Sequence, residues 1–318
     1  MILRTIDAVC LPLTLISAIW LKLIRRRGLA RMPLSKRALC HIGVLPVRDH
    51  YYEPLVNPAH LRHSLRADRL VPGIQLNTEA QLAILESFAF FEELSRFPFE
   101  APTGKTHRSF YYHNGAYGPG DAEYLYSMIR KFKPARFIEV GSGFSTLIAR
   151  EAMAMNQKCD PGYRCEVTCI EPYEQPWLED LGVTVVRRPV ETTGSDLFAT
   201  LGPNDILFID SSHVIRPQGD VLYLYQEVLP LLRPGVFVHI HDVFTPKDYL
   251  DKWILDDVRL WNEQYLLEAF LTYNGQFRVT GALNYLAHHH RSELMEKCPA
   301  FAAEANKREP GAFWIQRN

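Results

Sequence analysis

Cysteine is scarce in this sequence, six in 318 residues: Cys10, Cys40, Cys159, Cys165, Cys169 and Cys298. No two form a Cys-x-x-Cys pair, and the 159/165/169 spacing fits no structural zinc pattern. The expected state is scattered thiols in a reducing compartment rather than a metal-held or disulfide-framed domain. Positive charge is lacking where a nucleic-acid partner would need it. Residues 71–318 hold 23 Lys/Arg against 32 Asp/Glu, so nucleic acid is excluded as the partner of the main domain. No internal repeat or low-complexity tract is present. With 47% hydrophobic and 22% charged residues, wholesale disorder is excluded and a buried core is expected.

Charge is instead concentrated at the N-terminus, where residues 1–70 hold 12 Lys/Arg against four Asp/Glu. Within that region Ala8–Ile24 reads AVCLPLTLISAIWLKLI and runs directly into Arg25, Arg26 and Arg27. As a helix it would reach about 25 Å, a little short of the roughly 30 Å bilayer core. No small-x-small cleavage site follows, which disfavours a secretory signal. Residues 1–28 are therefore expected to be a membrane-anchor segment, either spanning the bilayer or lying in its interface, with a buried core helix as the bland alternative. If the segment spans, the arginines on its C-terminal side put the main domain in the cytoplasm, at the inner face of the membrane. Residues 29–115 are expected to form a cap of helix and loop, helical over Thr78–Ser95.

From about residue 116 the texture alternates. Asp121 is expected to cap a helix over Ala122–Lys133. Strands are expected at Arg136–Val140, Glu166–Ile170, Val183–Arg187, Asp205–Asp210 and Val236–His241. Helices are expected at about Thr146–Met155, Gly219–Leu232 and Trp253–Leu271. This alternation predicts an α/β fold over 116–318: Rossmann-like, with a mostly parallel, doubly wound sheet. Ligands of such sheets bind beyond the carboxyl ends of the strands. The first strand ends in Glu139-Val140-Gly141-Ser142-Gly143, a turn that lets backbone approach a ligand at a helix N-terminus. It lacks the third glycine of the dinucleotide fingerprint, Thr146 standing there, which disfavours an NAD-dependent dehydrogenase. The second strand ends in Glu171, placed to accept ribose hydroxyls.

The stretches FIEVGSGFST, CIEP, DILFIDSSH and LRPGVFVHIHD resemble the successive motifs of class I S-adenosylmethionine-dependent methyltransferases. They look most like the branch of macrolide-sugar and bacterial polysaccharide-cluster O-methyltransferases, and a terminal GAFWIQ suits the last strand of that fold. The resemblance implies S-adenosyl-L-methionine as cofactor. Glu139, Gly141 and Gly143 would cradle its methionine part, Glu171 its ribose, and Val190 and Glu191 would lie near its adenine. It also implies that Asp210, His241 and Asp242 match the positions that hold a divalent cation in metal-dependent relatives. The histidine departs from their acidic pair, and imidazole suits softer metals than Mg²⁺.

Two chemistries stay open at Asp210, His213, His241 and Asp242. A cation can lower the pKa of an acceptor hydroxyl, or His213 or His241 can act as general base. His239 is expected to face away from His241 and to be structural, and His288-His289-His290 is not expected to bind metal. The acceptor is expected to be a small molecule, a sugar or a lipid-linked glycan. A non-methylating enzyme (hydroxylase- or hydrolase-like) on the same fold, or a membrane-tethered binding protein, are the competing functions.

Overall fold

The structure is a computed structural model that describes residues 2–102 and 109–318. It divides into two compact units, Met1–Ser64 with Asp251–Leu260, and Leu65–Leu250 with Trp261–Asn318.

In the first unit, helix α1 runs over Ile2–Arg27, longer at both ends than the apolar stretch alone suggests. Its 26 residues span about 39 Å, enough to cross a bilayer core. Its apolar window has a mean hydropathy of 1.8 and no buried residue. Gly28, with φ of 92°, ends it, and the three arginines occupy the last turn, where cations complement the helix dipole. Glu53 accepts from Arg25 Nε and Nη2 at 2.9 and 3.0 Å and from Arg48 at 3.3 Å. Helix α2 follows over Pro33–Ile42, opened by proline and closed by Gly43 in the left-handed region.

The second unit carries α3 (Thr78–Glu86), α4 (Phe91–Leu94), α5 (Asp121–Phe132), β1 (Arg136–Val140), α6 (Phe144–Cys159), β2 (Glu166–Ile170), β3 (Thr184–Val186) and β4 (Ile206–Ile209). After these come α7 (Asp220–Tyr223), β5 (Phe237–Ile240), α8 (Glu263–Leu271), β6 (Phe277–Ala282), α9 (Leu283–His289), α10 (Arg291–Lys297), α11 (Pro299–Glu304) and β7 (Phe313–Arg317). The sheet order is β3-β2-β1-β4-β5-β7-β6. β1 to β5 are parallel, and β7 runs antiparallel to both β5 and β6. This is the Rossmann-like, mostly parallel sheet expected. Its strands are apolar on both faces because both are covered. Phe137, Phe208 and Trp314 pack with α5, α6 and Leu85, Phe88, Leu94, Phe110 and Tyr112 on one side. Ile138, Val140, Leu207 and Ile240 pack with Leu224 and Leu267 on the other.

Several expected elements differ. Thr78–Ser95 is two helices: Ser87 turns its Oγ back onto the Ile84 carbonyl at 2.6 Å, and Ser87–Phe90 leave the helix. Gly219–Leu232 is helical but irregular, α7 widening into a π turn over Leu224–Val228 and tightening over Leu229–Leu231 around Pro230. Trp253–Leu271 is not one helix. Only Lys252–Asp256 forms a π turn before α8 starts at Glu263, because the Asn262 and Glu263 amides donate to the His213 carbonyl. Strand β6 is an addition. Asp121 is the first residue of α5 rather than its cap; Glu123 accepts the Gly120 amide at 2.9 Å. All six cysteines are free thiols.

Candidate active site

The carboxyl ends of β1 to β4 open onto two adjoining cavities. One, of about 330 Å³, is lined by Gly141, Glu171, Val190, Glu191, Asp210 and Ser212 among others. The other, of about 220 Å³, reaches Gly143, Ser145, Gln175 and Tyr117. They share Gly141, Glu171, Glu174, Asp210 and Ser211, and so form one cleft across the strand ends. A larger cavity of about 560 Å³ lies elsewhere, beside β6. No titratable cluster converges there, and it does not carry the chemistry.

Gly141 shapes this cleft. Its φ is +77°, and a Cβ there would meet the Asp210 carbonyl oxygen at 2.0 Å. Its amide donates to the Ile170 carbonyl at 3.1 Å, while the Asp210 amide donates to that of Val140 at 2.9 Å. Only glycine lets the three strand ends approach this closely. Gly143, by contrast, is extended, with Gln175 3.9 Å from its notional Cβ. Its freedom faces the cleft rather than the protein.

Glu139 sits beneath this turn, fully buried and outside the cavity walls. Its Oε2 accepts from Thr146 Oγ1 at 2.5 Å and from Cys169 Sγ at 3.6 Å, and Thr146 Oγ1 in turn accepts the Gly143 amide at 3.0 Å. Glu139 therefore supports the glycine turn rather than facing a ligand. Burial pushes its carboxyl up to about 7, against the pull of nearby hydroxyls.

Glu171 follows β2 and lines both cavities. Its Oε1 accepts the amides of Tyr173 and Glu174 at 3.0 and 2.9 Å. Among the described residues, Oε2 has no hydrogen-bond partner. Arg187, leaving β3, donates to the carbonyls of Glu171 and Gln175 and pairs with Glu179 at 2.8 Å. The loop that presents Glu171 is thus held from both sides.

Beyond Asp210 the cleft meets a cluster of ionisable groups. His213 is held in the left-handed region at φ 60°. Its Nδ1 lies 2.9 Å from Glu263 Oε2, which also accepts from Ser211 Oγ at 2.7 Å. Its Nε2 lies 3.2 Å from Asp210 Oδ1 and 3.5 Å from Asp242 Oδ2. His241 lies with Nδ1 3.6 Å from both Asp210 Oδ1 and Asp242 Oδ1, and Nε2 3.6 Å from Asp121. Asp121 is fixed by the Gly311 and Ala312 amides at 3.1 and 2.8 Å.

Burial alone would lower the His213 ring, but Asp210 and Glu263 outweigh it and push it up to about 10. Burial opposes the proton on His241 too; Asp242 and Asp210 raise it well above the ordinary imidazole range. Burial would raise Asp210, yet His241 and His213 hold it well below the usual carboxylate range. For Asp242, burial prevails and the shift is upward.

These distances bear on a cation. Donor atoms of Asp210, His241 and Asp242 all lie within 4.8 Å of one another. His241 Nδ1 is buried without a hydrogen-bond partner, and its 3.6 Å separations are too long for hydrogen bonds. They suit ligands placed about 2.0–2.2 Å around a shared ion. The residues fit such a group.

His239 does not face away from His241. Side chains two apart on a strand share a face, and the two rings stack with centroids 5.8 Å apart. His239 is buried against Phe208 at 4.1 Å and bonds the Tyr117 hydroxyl at 3.2 Å, a packing position. His288, His289 and His290 splay to Glu309, Asp68 and Glu293 and form no cluster. Glu263 and Asp121 were not expected at the site. The one available signal for Glu263 was an acid heading the row it shares with Leu267 and Leu271, both buried.

Residues 138–243 match a family model described as a methyltransferase domain. A protein of Archaeoglobus fulgidus, described only as uncharacterized, is 32% identical over 176 residues, 52% of this chain and 77% of that one. Among solved structures, an O-methyltransferase from Bacillus cereus in complex with SAH aligns at TM-score 0.37 and 13% identity, over 76% of this chain and 91% of that one. MycE, a methyltransferase of mycinamycin biosynthesis in complex with Mg, SAH and mycinamycin VI, aligns at TM-score 0.31 and 12% identity, over 60% and 47%. The two structural likenesses are too slight to argue from.

Proposed function

We propose that this chain, whose residues 138–243 match a methyltransferase-domain family model, is an S-adenosylmethionine-dependent methyltransferase that methylates a hydroxyl of a sugar or lipid-linked glycan at the cytoplasmic face of a membrane. The observation that carries the reading is the cleft over β1 to β4, where Gly141 lies against Asp210 and Glu171 presents an unpartnered Oε2. In this reading Glu171 accepts the ribose hydroxyls, Val190 and Glu191 border the adenine, and Gly141 and Gly143 leave backbone open to the methionine part, with Glu139 bracing them through Thr146. When bound there, S-adenosylmethionine supplies an electrophilic methyl group.

Asp210 lines the cleft and also belongs to the ionisable cluster, so the acceptor hydroxyl is to be prepared there. Four carboxylates, Asp121, Asp210, Asp242 and Glu263, surround His213 and His241. Asp210 and Glu263 push the His213 ring up to about 10, and an imidazolium cannot accept the hydroxyl's proton; His241 would give up its proton to the solvent on taking the ion. This favours the cation version: a divalent ion held by Asp210, His241 and Asp242 would polarise the acceptor oxygen. Glu263 positions His213, whose Nε2 hydrogen is aimed at Asp210 and Asp242. Trp261 packs against the His213 ring, centroids 4.2 Å apart, and helps to hold it in place.

Membrane attachment rests on α1, long and apolar enough to cross a bilayer, and on Arg25–Arg27 beyond it, which favour a cytoplasmic main domain. The test is incubation of the full chain with methyl-labelled S-adenosylmethionine and a cell-envelope extract. Label in a glycan or glycolipid is the expected result; label confined to protein, or none, counts against the reading.

A further inference from the structure

Helix α2, like α1, is almost wholly exposed within the first unit. Leu34 is 78% and Ile42 71% exposed. At 100° per residue Leu34, Ala38 and Ile42 fall within one arc of about 80°, which Leu39 extends. Lys36 and Cys40 lie opposite the stripe, Arg37 and His41 flank it on the Leu34 side, and no residue of the helix is buried. An apolar stripe on a ten-residue helix is exposed at a cost unless something covers it.

Two observations identify the cover. The first is charge. Residues 8–48 contain eight Lys/Arg and no Asp/Glu. Among the described residues Glu53 engages Arg25 and Arg48, while Arg26, Arg27, Arg31, Lys36 and Arg37 are all exposed. The second is continuity. Between α1, whose apolar window is wholly unburied, and α2 stand only Gly28, the turn Leu29–Arg31 and Met32. A chain leaving the bilayer at Arg27 therefore starts α2 at the headgroup level, with a cation-rich turn between.

We propose that α2 is an interfacial helix that lays its Leu34/Ala38/Ile42 stripe into an anionic lipid surface, with Arg26, Arg27, Arg31, Lys36 and Arg37 among the headgroups. This rests on the membrane reading of α1 given above. The consequence is a first unit attached by two contacts of different kind. One depends on hydrocarbon thickness; the other depends on anionic lipid.

Versions of the full chain with one introduced cysteine test this, with Cys10, Cys40, Cys159 and Cys165 replaced by Ser, the buried Cys169 and Cys298 retained, and an environment-sensitive fluorophore at Leu15→Cys, Leu34→Cys or Lys36→Cys. They are reconstituted into vesicles of phosphatidylcholine alone, or with about a third phosphatidylglycerol, carrying a headgroup-level quencher. The label at 34 is expected to be quenched severalfold more than that at 36, and only with phosphatidylglycerol. Substituting Arg26, Arg31 and Arg37 by Gln should abolish the difference, since each basic group near such a surface contributes about fivefold in partitioning. Equal exposure at 34 and 36 while the label at 15 is shielded would overturn the inference and leave the membrane reading standing. Exposure at all three would overturn both. Shielding at 34 without vesicles, rising with protein concentration, would assign the stripe to a second copy of the chain and also overturn it.

Discussion

Gly141 and Asp210 meet so closely that a Cβ on the glycine would lie 2.0 Å from the aspartate's carbonyl oxygen. The backbone of the β1 turn is thereby set against the end of β4, and Asp210 is turned to serve both the cleft and the ionisable cluster. Gly141→Ala must break this contact and also hold an alanine at φ +77°. We expect a loss of about 1–3 kcal/mol in stability and loss of cofactor binding. Gly143→Ala, extended and facing open space, should leave the melting temperature unchanged while obstructing the cleft. Melting curves and cofactor titrations of the two variants separate these effects.

Glu139 links the fold to pH. Burial raises its carboxyl to about 7 in the folded chain from an ordinary value of 4.5. The stability this contributes is fully present below about pH 4.5 and is lost as pH rises through 7. Glu139→Gln removes the titration. Urea unfolding at pH 5 and pH 8 should show wild type losing up to about 3 kcal/mol relative to the variant across that window. Parallel pH profiles for the two proteins would mean that Glu139 is ionised throughout.

The cluster makes a separate prediction. A chelator should abolish methyl transfer and leave cofactor binding intact, and a divalent ion should restore turnover. Asp242→Asn should behave like the chelated enzyme, with losses of about 10²–10⁴ in rate. If chelation has no effect and His213→Ala alone causes such a loss, the histidine is the base.

The fold was legible where apolar runs of four or five residues ended on an acid or a glycine. Phe137–Val140 before Gly141 and Ile206–Ile209 before Asp210 do so, Glu166–Ile170 before Glu171 and Phe237–Ile240 before His241 and Asp242 follow more loosely, and the residues ending them line the candidate site. Strand β6 escaped notice because it is an edge strand, with Arg278 exposed and a register break between Val279 and Gly281. His239 was assigned the wrong face although strand geometry alone places it beside His241. Glu263 could not be linked to His213 from sequence, since 50 residues separate them and only the start of α8 brings them together. Helix α8 itself was anticipated too long, because the competition of the His213 carbonyl for its first amides is a tertiary effect. The exposure of α2 is likewise invisible to periodicity, which shows that a stripe exists but not what covers it.

The most direct test of the account is a calorimetric titration of well-folded full-length protein with S-adenosylmethionine and its demethylated product, set beside Glu171→Ala. Binding in the micromolar range, about −8 kcal/mol, is expected for wild type. The variant should be weaker by about 2–4 kcal/mol, for two lost charge-assisted hydrogen bonds. Wild type that melts cooperatively yet binds neither ligand would contradict the account at its centre.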